Sequence, residues 1–550
     1  MKVGTGVPLV PGAFSLGLSD VVTVSGSFSA VSCNARFVGA DGHSELESSS
    51  DGSIPVRLTF SPSQRMWGLS APDVQVSASL STSGKYTFQS SLPGGEYDVY
   101  VEPFQVADAA ALDAKACPLI PQLFRAQDLT RSTSLKLALP TPKHIDIKLR
   151  FPEGTQDLDG WNADMLEPVS GRVVSTRSKL ELPTRSDGKL VYGFGIDYVP
   201  VWGDDIAITH GELLRLTPPE RVDAPSLFFW REGLEWAAQG SGSIDNLGAF
   251  PAPVSFSGQV SDASSGSGVR ASVTCAASEV TGVAAGVFSS FIRTTQTDAQ
   301  GRFKLDLLPG VYRVVATPDS PVDASQRPFA ISTTSLTVLG SPAVQAGATL
   351  QVQPALNLQG SVFAPNGVAA RGATATVEVS SAPATTSVFE RAIGQLPTVP
   401  RATQGLVGTD GTFGLFAEPG VYDFSVRPPA SSGFAWLVMP GFEPAPASQR
   451  ELDASLPELR LPSALPLDLF VRILERTEAD SNEALRGASV RVYALLDSTG
   501  TATTDAKAAV SAVRIADARL DSAGHTSLVL PAQLDCPPDG FQDTAQGQQP

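Results

Sequence analysis

Few residues of this 550-residue chain have the chemistry for catalysis or metal binding, and their spacing works against both. The four histidines, His43, His144, His210 and His525, are far apart. No HExxH, HxxE, GxSxG, GxGxxG or phosphate-loop GxxxxGK pattern surrounds them or any serine or lysine. Cys33, Cys117, Cys275 and Cys536 form no CxxC, so neither a metal knuckle nor a thioredoxin-like dithiol is encoded. The densest set of hard oxygen ligands is GTQDLDGWNADMLE (154–167), with Asp157, Asp159, Asp164 and Glu167. A calcium loop of the EF-hand type needs an acid at positions one and twelve. With Gly160 at position six those places hold Thr155 and Leu166, so a solvated acidic loop reads better. ERTEADSNE (475–483) reads the same way. The remaining candidates are aromatic: Trp202, and the group Phe228, Phe229, Trp230 and Trp236 in SLFFWREGLEW. Indoles on one face could stack on a sugar ring, or they could fill a core or a domain interface.

The elements that must position such residues follow a repeat. In TDAQGRFKLDLLPGVYRVVATP (297–318), Asp298 to Gly301 reads as a turn. Phe303, Leu305 and Leu307 alternate as one face of a strand, and Pro309-Gly310 makes a second turn. Tyr312, Val314 and Ala316 alternate again, which reads as a β-hairpin. GTDGTFGLFAEPGVYDFSVRP repeats it with Gly411, Phe413, Leu415, Pro419-Gly420 and Tyr422. STSGKYTFQSSLPGGEYDVYVEP repeats it with Gly84, Tyr86, Phe88, Pro93-Gly94 and Tyr97. SDGKLVYGFGIDYVPVW keeps Gly188 without the Pro-Gly turn, and LDSAGHTSLVLPAQLD keeps Gly524 without a recognisable second strand. The turn glycines Gly84, Gly188, Gly301, Gly411 and Gly524 thus recur with a period of roughly 110 residues. That period fits tandem domains, each long enough for its own core.

Each repeat also opens on a comparable strand: Ser25-Gly26-Ser27-Phe28, Ser257-Gly258-Gln259-Val260 and Gln359-Gly360-Ser361-Val362. HIDIKLRF (144–151) and LDLFVRI (467–473) take this place in the second and fifth repeats. Short strands and Gly/Pro turns predict an all-β chain of five tandem antiparallel β-sandwiches of prealbumin-like or Ig-like form, joined by short linkers such as FPAPVSF. The expected units are 18–140, with a short helical insertion at VADAAALDAKA (106–116), then 141–250, divergent, 251–355, 356–464 and a curtailed 465–550. Tyr97, Tyr312 and Tyr422 recur at one strand position and read as structural. Cys33 and Cys117 share the first unit, either as a disulfide or as two buried thiols.

The pattern TDxxGxFxLxxLPGxYxV resembles the carboxypeptidase regulatory-like domain, a transthyretin-like sandwich of the carbohydrate-binding-like superfamily. The match is strongest at 297–316 and 409–426, fair at 83–101, and partial at 186–198 and 521–530. Its residues specify turns and strands, not catalysis. The resemblance implies a cofactor-free, non-enzymatic module of bacterial envelope or secreted proteins, acting as scaffold, adhesin or spacer. The alternatives it leaves open are a carbohydrate-binding array using Trp202, Trp230 and Trp236, and the accessory part of a larger secreted enzyme or secretion assembly. A protein or glycan partner at the cell surface follows from any of the three.

Charge and hydropathy narrow the partners. The net charge of −17, with no Lys/Arg-rich run, disfavours nucleic acid. No apolar run is long enough to span a membrane as a helix, which takes about 20 residues. The N-terminus is a poor signal peptide, and the stretch before Cys33 is too polar for a lipoprotein signal. The resemblance implies a periplasmic, outer-membrane-associated or extracellular location, with no export signal visible in this sequence.

Overall fold

A computed structural model describes residues 12–18, 21–29, 56–62, 73–80, 85–103, 120–137, 143–152, 158–167, 170–180, 182–198, 211–220, 222–232, 241–244, 248, 251–284, 287–320, 327–341, 344–379, 401–444, 453–474, 476–497 and 511–532. These are almost wholly β-strand, arranged as tandem β-sandwiches. Five large apolar cores follow one another along the chain, built from residues 22–137, 145–229, 254–352, 358–461 and 436–530.

The third and fourth sandwiches show the plan. The opening strand, Val254–Asp262 or Leu356–Phe363, lies between two neighbours of one sheet. On one side runs the antiparallel strand Arg302–Leu307 or Thr412–Ala417. On the other side a closing strand runs parallel to it: Val344–Val352, or Asp453–Ser455 with Leu459–Arg460. The second sheet holds Ala271–Val280, Gly310–Pro318 and Ser332–Val338, or Thr374–Val379, Tyr422–Arg427 and Leu437–Phe442.

The two strands around the Pro-Gly turn therefore belong to different sheets, and the expected hairpin is a β-arch. Two-residue hairpins need turns whose twist matches the flanking strands, usually with φ > 0 at the first corner, which proline forbids. Both apolar faces then point into one core from opposite walls. Phe303, Leu305 and Leu307 meet Tyr312, Val314 and Ala316 there, all buried. In the first unit, Lys85–Leu92 and Gly95–Pro103 likewise do not pair, although one seven-stranded sheet runs through Val74–Leu80 and joins both walls.

Each arch is tied by its tyrosine. The Tyr312 hydroxyl donates to the Leu308 carbonyl at 2.7 Å, Tyr422 to Glu418 at 2.9 Å, and Tyr97 to Pro93 at 2.9 Å. This bond back across a sheet-to-sheet corner has the form of the tyrosine corner of Greek-key sandwiches. Burial pushes all three phenol pKa values up.

The opening-strand glycines have a spatial reason. Gly26, Gly258 and Gly360 stand directly opposite Phe88, Phe303 and Phe413 in the ladder, and each ring lies over its glycine. A Cβ at Gly258 would sit 2.6 Å from the Phe303 ring and 2.6 Å from the Ala348 carbonyl oxygen. The turn glycines obey a different constraint. Gly301 and Gly411 have φ of 72° and 86°, and their carbonyls accept from Val260 and Val362 of the opening strands. Asp298 Oδ1 accepts from the Gln300 and Arg302 amides, as Asp521 does from Ala523 and His525.

Two expectations need correction or fall outside the described residues. ERTEADSNE is no open loop: Glu478–Leu485 is an α-helix, capped where Thr477 Oγ1 accepts from the Asp480 amide at 3.3 Å. The expected helix at 106–116 lies outside the described residues, as do Gly84, Cys33 and Cys117.

The fifth sandwich has an unexpected member. Its opening strand Ala464–Ile473 pairs antiparallel with His525–Pro531, and its second wall holds Ser489–Leu496 and Ser511–Arg519. The parallel place beside the opening strand is taken by Gly12–Leu18, from the other end of the chain.

Candidate functional site: the junctions between sandwiches

Two of the three charged residues buried among the described ones, Glu167 and Glu418, lie where one sandwich meets the next. Between the first and second, Arg125 reaches Glu167 at 2.8 Å and Asp98 at 3.2 Å. From the other side Arg172 lies over the Tyr100 ring, 4.6 Å from its centroid, and reaches Ser61 at 3.2 Å and Asp73 at 3.6 Å. The Tyr100 hydroxyl donates to the Val173 carbonyl at 2.8 Å. Its pKa is raised, first by burial and then by Glu102.

Between the second and third, the sheet itself continues. Ser226–Glu232 pairs with Phe288–Ser290, and Val283 and Val287 pack on the second core. Arg293 reaches back to Asp223 at 2.7 Å while stacking on Phe291.

The third junction is built around one buried acid. Glu418, 3% exposed, accepts from the Arg401 amide and from Arg401 Nε, both at 2.7 Å, and from the Ile331 amide at 3.2 Å. The remaining guanidinium nitrogens of Arg401 donate to the Pro318 and Phe329 carbonyls of the third sandwich at 3.2 and 2.6 Å. One fork thus holds an acid of its own unit and two backbone carbonyls of its neighbour. At the fourth junction, Glu378 lies between Arg427 at 2.7 Å and Arg514 at 2.6 Å. Both guanidiniums face the Trp436 ring, at 4.6 and 5.8 Å, and Trp436 packs in the fifth core.

These contacts revise the acidic loop at 154–167. Asp159 is exposed, but Asp164 and Glu167 are buried and engaged by arginine, not solvated. Arg215 grips Asp164 with two bonds of 2.8 and 2.7 Å, and Arg177 approaches at 3.4 Å. Glu167 also accepts from the Ser170 amide and hydroxyl, both at 2.6 Å. Asp157 lies outside the described residues. Among the described residues no group of three or more His, Cys, Asp or Glu is placed to hold a metal.

The other candidates separate. His144 lies between Asp197 at 2.7 Å and Asp146 at 3.4 Å on an exposed strand face, and the Asp197 hydrogen bond raises its pKa. His525 belongs to another unit, 3.6 Å from Asp468 and with its ring tilted against that of Phe470. Cys275 is a free, buried thiol pushed up to about 12 by burial. Gly188 and Gly524 adopt φ of 70° and 69°, as turns. Phe228 and Phe229 are buried on opposite faces of their strand, in different apolar clusters. The backbone of Trp230 pairs with Leu213, while its side chain, Trp202 and Trp236 lie outside the described residues. Cys536, His43 and His210 do as well.

Asp223, Glu378 and Glu418 were missed in sequence, and Glu167 was read as part of a solvated loop. One signal was present: the residue before the Pro-Gly turn is Leu92, Leu308 and then Glu418. An acid stood where the other copies bury a leucine.

No family model and no curated protein matches this chain. Among solved structures, a streptococcal ancillary pilin aligns with 57% of this chain and 99% of its own, at 14% identity and a TM-score of 0.22. The Bacillus anthracis TIE protein aligns over 74% and 68%, at 12% identity and a TM-score of 0.17. A minor pilin of Streptococcus agalactiae covers 38% and 97%, at 10% identity and a TM-score of 0.22. Identities and TM-scores this low establish no function for this chain. No helix of the described residues is long and apolar enough to cross a membrane.

Proposed function

We propose that this chain is a non-catalytic scaffold or adhesion array of the cell envelope or cell exterior, in which β-sandwiches serve as spacers held in fixed relative orientation. The observation that carries the reading is the set of arginine junctions. Each engages an acid or a carbonyl across a boundary, and at Arg401 the fork joins backbone of one unit to a buried acid of the next. Isolated beads on a flexible string have no use for such contacts, whereas an array that must hold one arrangement does.

In this reading the units run 18–140, 141–250, 251–355, 356–464 and 465–550, with Gly12–Leu18 added to the last. The finer assignment to carboxypeptidase regulatory-like modules is supported by the Asp-Gly turn, the Pro-Gly arch and the tied tyrosine, which coincide in the third and fourth sandwiches.

Protease treatment of intact producing cells tests the location. Loss of the intact chain from unpermeabilised cells, with a cytoplasmic marker preserved, is the expected result. A chain that stays protected until lysis would overturn the reading.

A further inference from the structure

In the first four sandwiches the strand running parallel to the opening strand comes from the same unit, later in the chain. These are Thr133–Lys136, Ser241–Ile244, Val344–Val352, and Asp453–Ser455 with Leu459–Arg460. The fifth departs from this rule. Gly12–Leu18 fills the place, paired from Gly12↔Leu467 to Leu18↔Ile473 with no shift in register.

The sequence of that strand suits the slot. Phe14, Leu16 and Leu18 stand in register with Leu469, Val471 and Ile473, the buried residues of the acceptor strand. Ala13, Ser15 and Gly17 stand in register with the exposed Asp468, Phe470 and Arg472. In a sheet, residues in register share a face, so the donor's apolar positions match those of the acceptor strand.

The same strand is tethered to the first sandwich. Three residues separate Leu18 from Val22, where the first opening strand begins. Four Cα steps reach about 15 Å at most. A segment tied this closely to the first unit is thus a sheet member of the last, beside Ala464–Ile473.

We propose that Gly12–Leu18 is an exchangeable donor strand, and that the fifth sandwich accepts it from a second copy of this chain, linking copies head to tail. The backbone ladder and the apolar pattern along it are identical whether the donor is the same molecule or its neighbour. Pairing within one molecule, as in the structure, returns the fifth unit to within about 15 Å of the first. Pairing between molecules requires no such return. A short hinge beside an exchangeable element favours swapping. Donor and acceptor lie in different units, so a one-way exchange leaves one of each free and continues head to tail unless the rotation closes it into a ring. This goes beyond the scaffold reading and does not depend on the protein's location.

Two variants test it, each in a chain whose native cysteines are alanine: Ser15→Cys and Phe470→Cys, register partners across the ladder. Mixed after separate purification and oxidised, the two single variants can join only between molecules. A disulfide-linked pair on a non-reducing gel, absent from either variant alone, is the expected result. If the mixture stays unlinked while the double variant closes within one chain at every concentration, exchange is overturned. If neither links, the strand placement and the proposal fall together. A second measurement uses the native cysteines: a labelled peptide of residues 10–20 added to a chain lacking residues 1–19. Saturable binding, lost on Val471→Lys, supports the proposal, and no binding overturns it.

Discussion

Arg401 pairs with the buried Glu418 at an Nη2–Oε1 distance of 2.6 Å, and the same guanidinium holds two carbonyls of the preceding sandwich. Glu418 also supplies the carbonyl that anchors the tyrosine of its own arch. The third junction and the fourth core therefore share one residue.

Arg401→Ala should lower the unfolding midpoint of the third and fourth sandwiches, because it leaves Glu418 buried without its counter-charge. Breaking a fully buried pair costs about 3–5 kcal/mol. With the Arg401 side chain 30% exposed, about 2 kcal/mol is expected. Adding Glu418→Leu, the residue of the other copies, should recover part of the loss. A double-mutant cycle by denaturant unfolding reads both, and a double variant no better than Arg401→Ala would refute the coupling.

Tyr312→Phe and Tyr422→Phe should each cost about 1–2 kcal/mol, since the arch carbonyl loses its donor in a buried setting. Burial also holds both phenols protonated well above the ordinary pKa of 10. The sign follows: the stabilisation is complete below pH 10 and is lost as the pH rises toward the folded-state pKa. Ultraviolet titration should show part of the tyrosine signal ionising only as the protein unfolds in alkali. Smooth ionisation of all eight tyrosines near pH 10 would contradict this.

Gly258→Ala should destabilise the third sandwich by about 1–3 kcal/mol, because the new methyl meets a backbone carbonyl as well as the Phe303 ring. Gly360→Ala should be milder, as its contacts are the Phe413 ring and the Leu456 Cβ, with no backbone carbonyl among them. Gly193→Ala, with open space around it, serves as the neutral control. Thermal unfolding of the three variants gives the order.

His144 should titrate above the usual histidine value of 6.5, because Asp197 accepts from its ring. A raised pKa contributes stability below pH 6.5 that disappears as the pH climbs through the folded-state value. Proton NMR of the ring, with Asp197→Asn returning the titration toward 6.5, checks it.

Cys275 should resist a disulfide-exchange reagent at pH 8 in the native state and react once unfolded, as its thiol is buried and shifted up to about 12. Rapid native labelling at this position would contradict the burial.

The period of the turn glycines, the alternation around them and the recurring tyrosines were legible in the sequence because they are local. A turn needs its Asp and Gly within a few residues, and a strand face repeats every second residue. Even the opening-strand glycine could be seen, though not its reason: the Phe303 ring that requires Gly258 sits on a later strand and meets it only across the ladder. The arch was misread as a hairpin because alternation gives the buried face of a strand and not the sheet it joins.

What the sequence determined by itself is the unit: its strands, its turns and its core residues, each set by neighbours a few positions apart. What the tertiary structure alone decided is how units meet. Arg125 with Glu167, Arg401 with the Phe329 carbonyl, and Arg514 with Glu378 are each drawn from different units and obey no repeat. The placement of Gly12–Leu18 in the fifth sheet is longer-ranged still. A backbone edge accepts any strand of suitable pattern, so only the folded chain shows which one fills it.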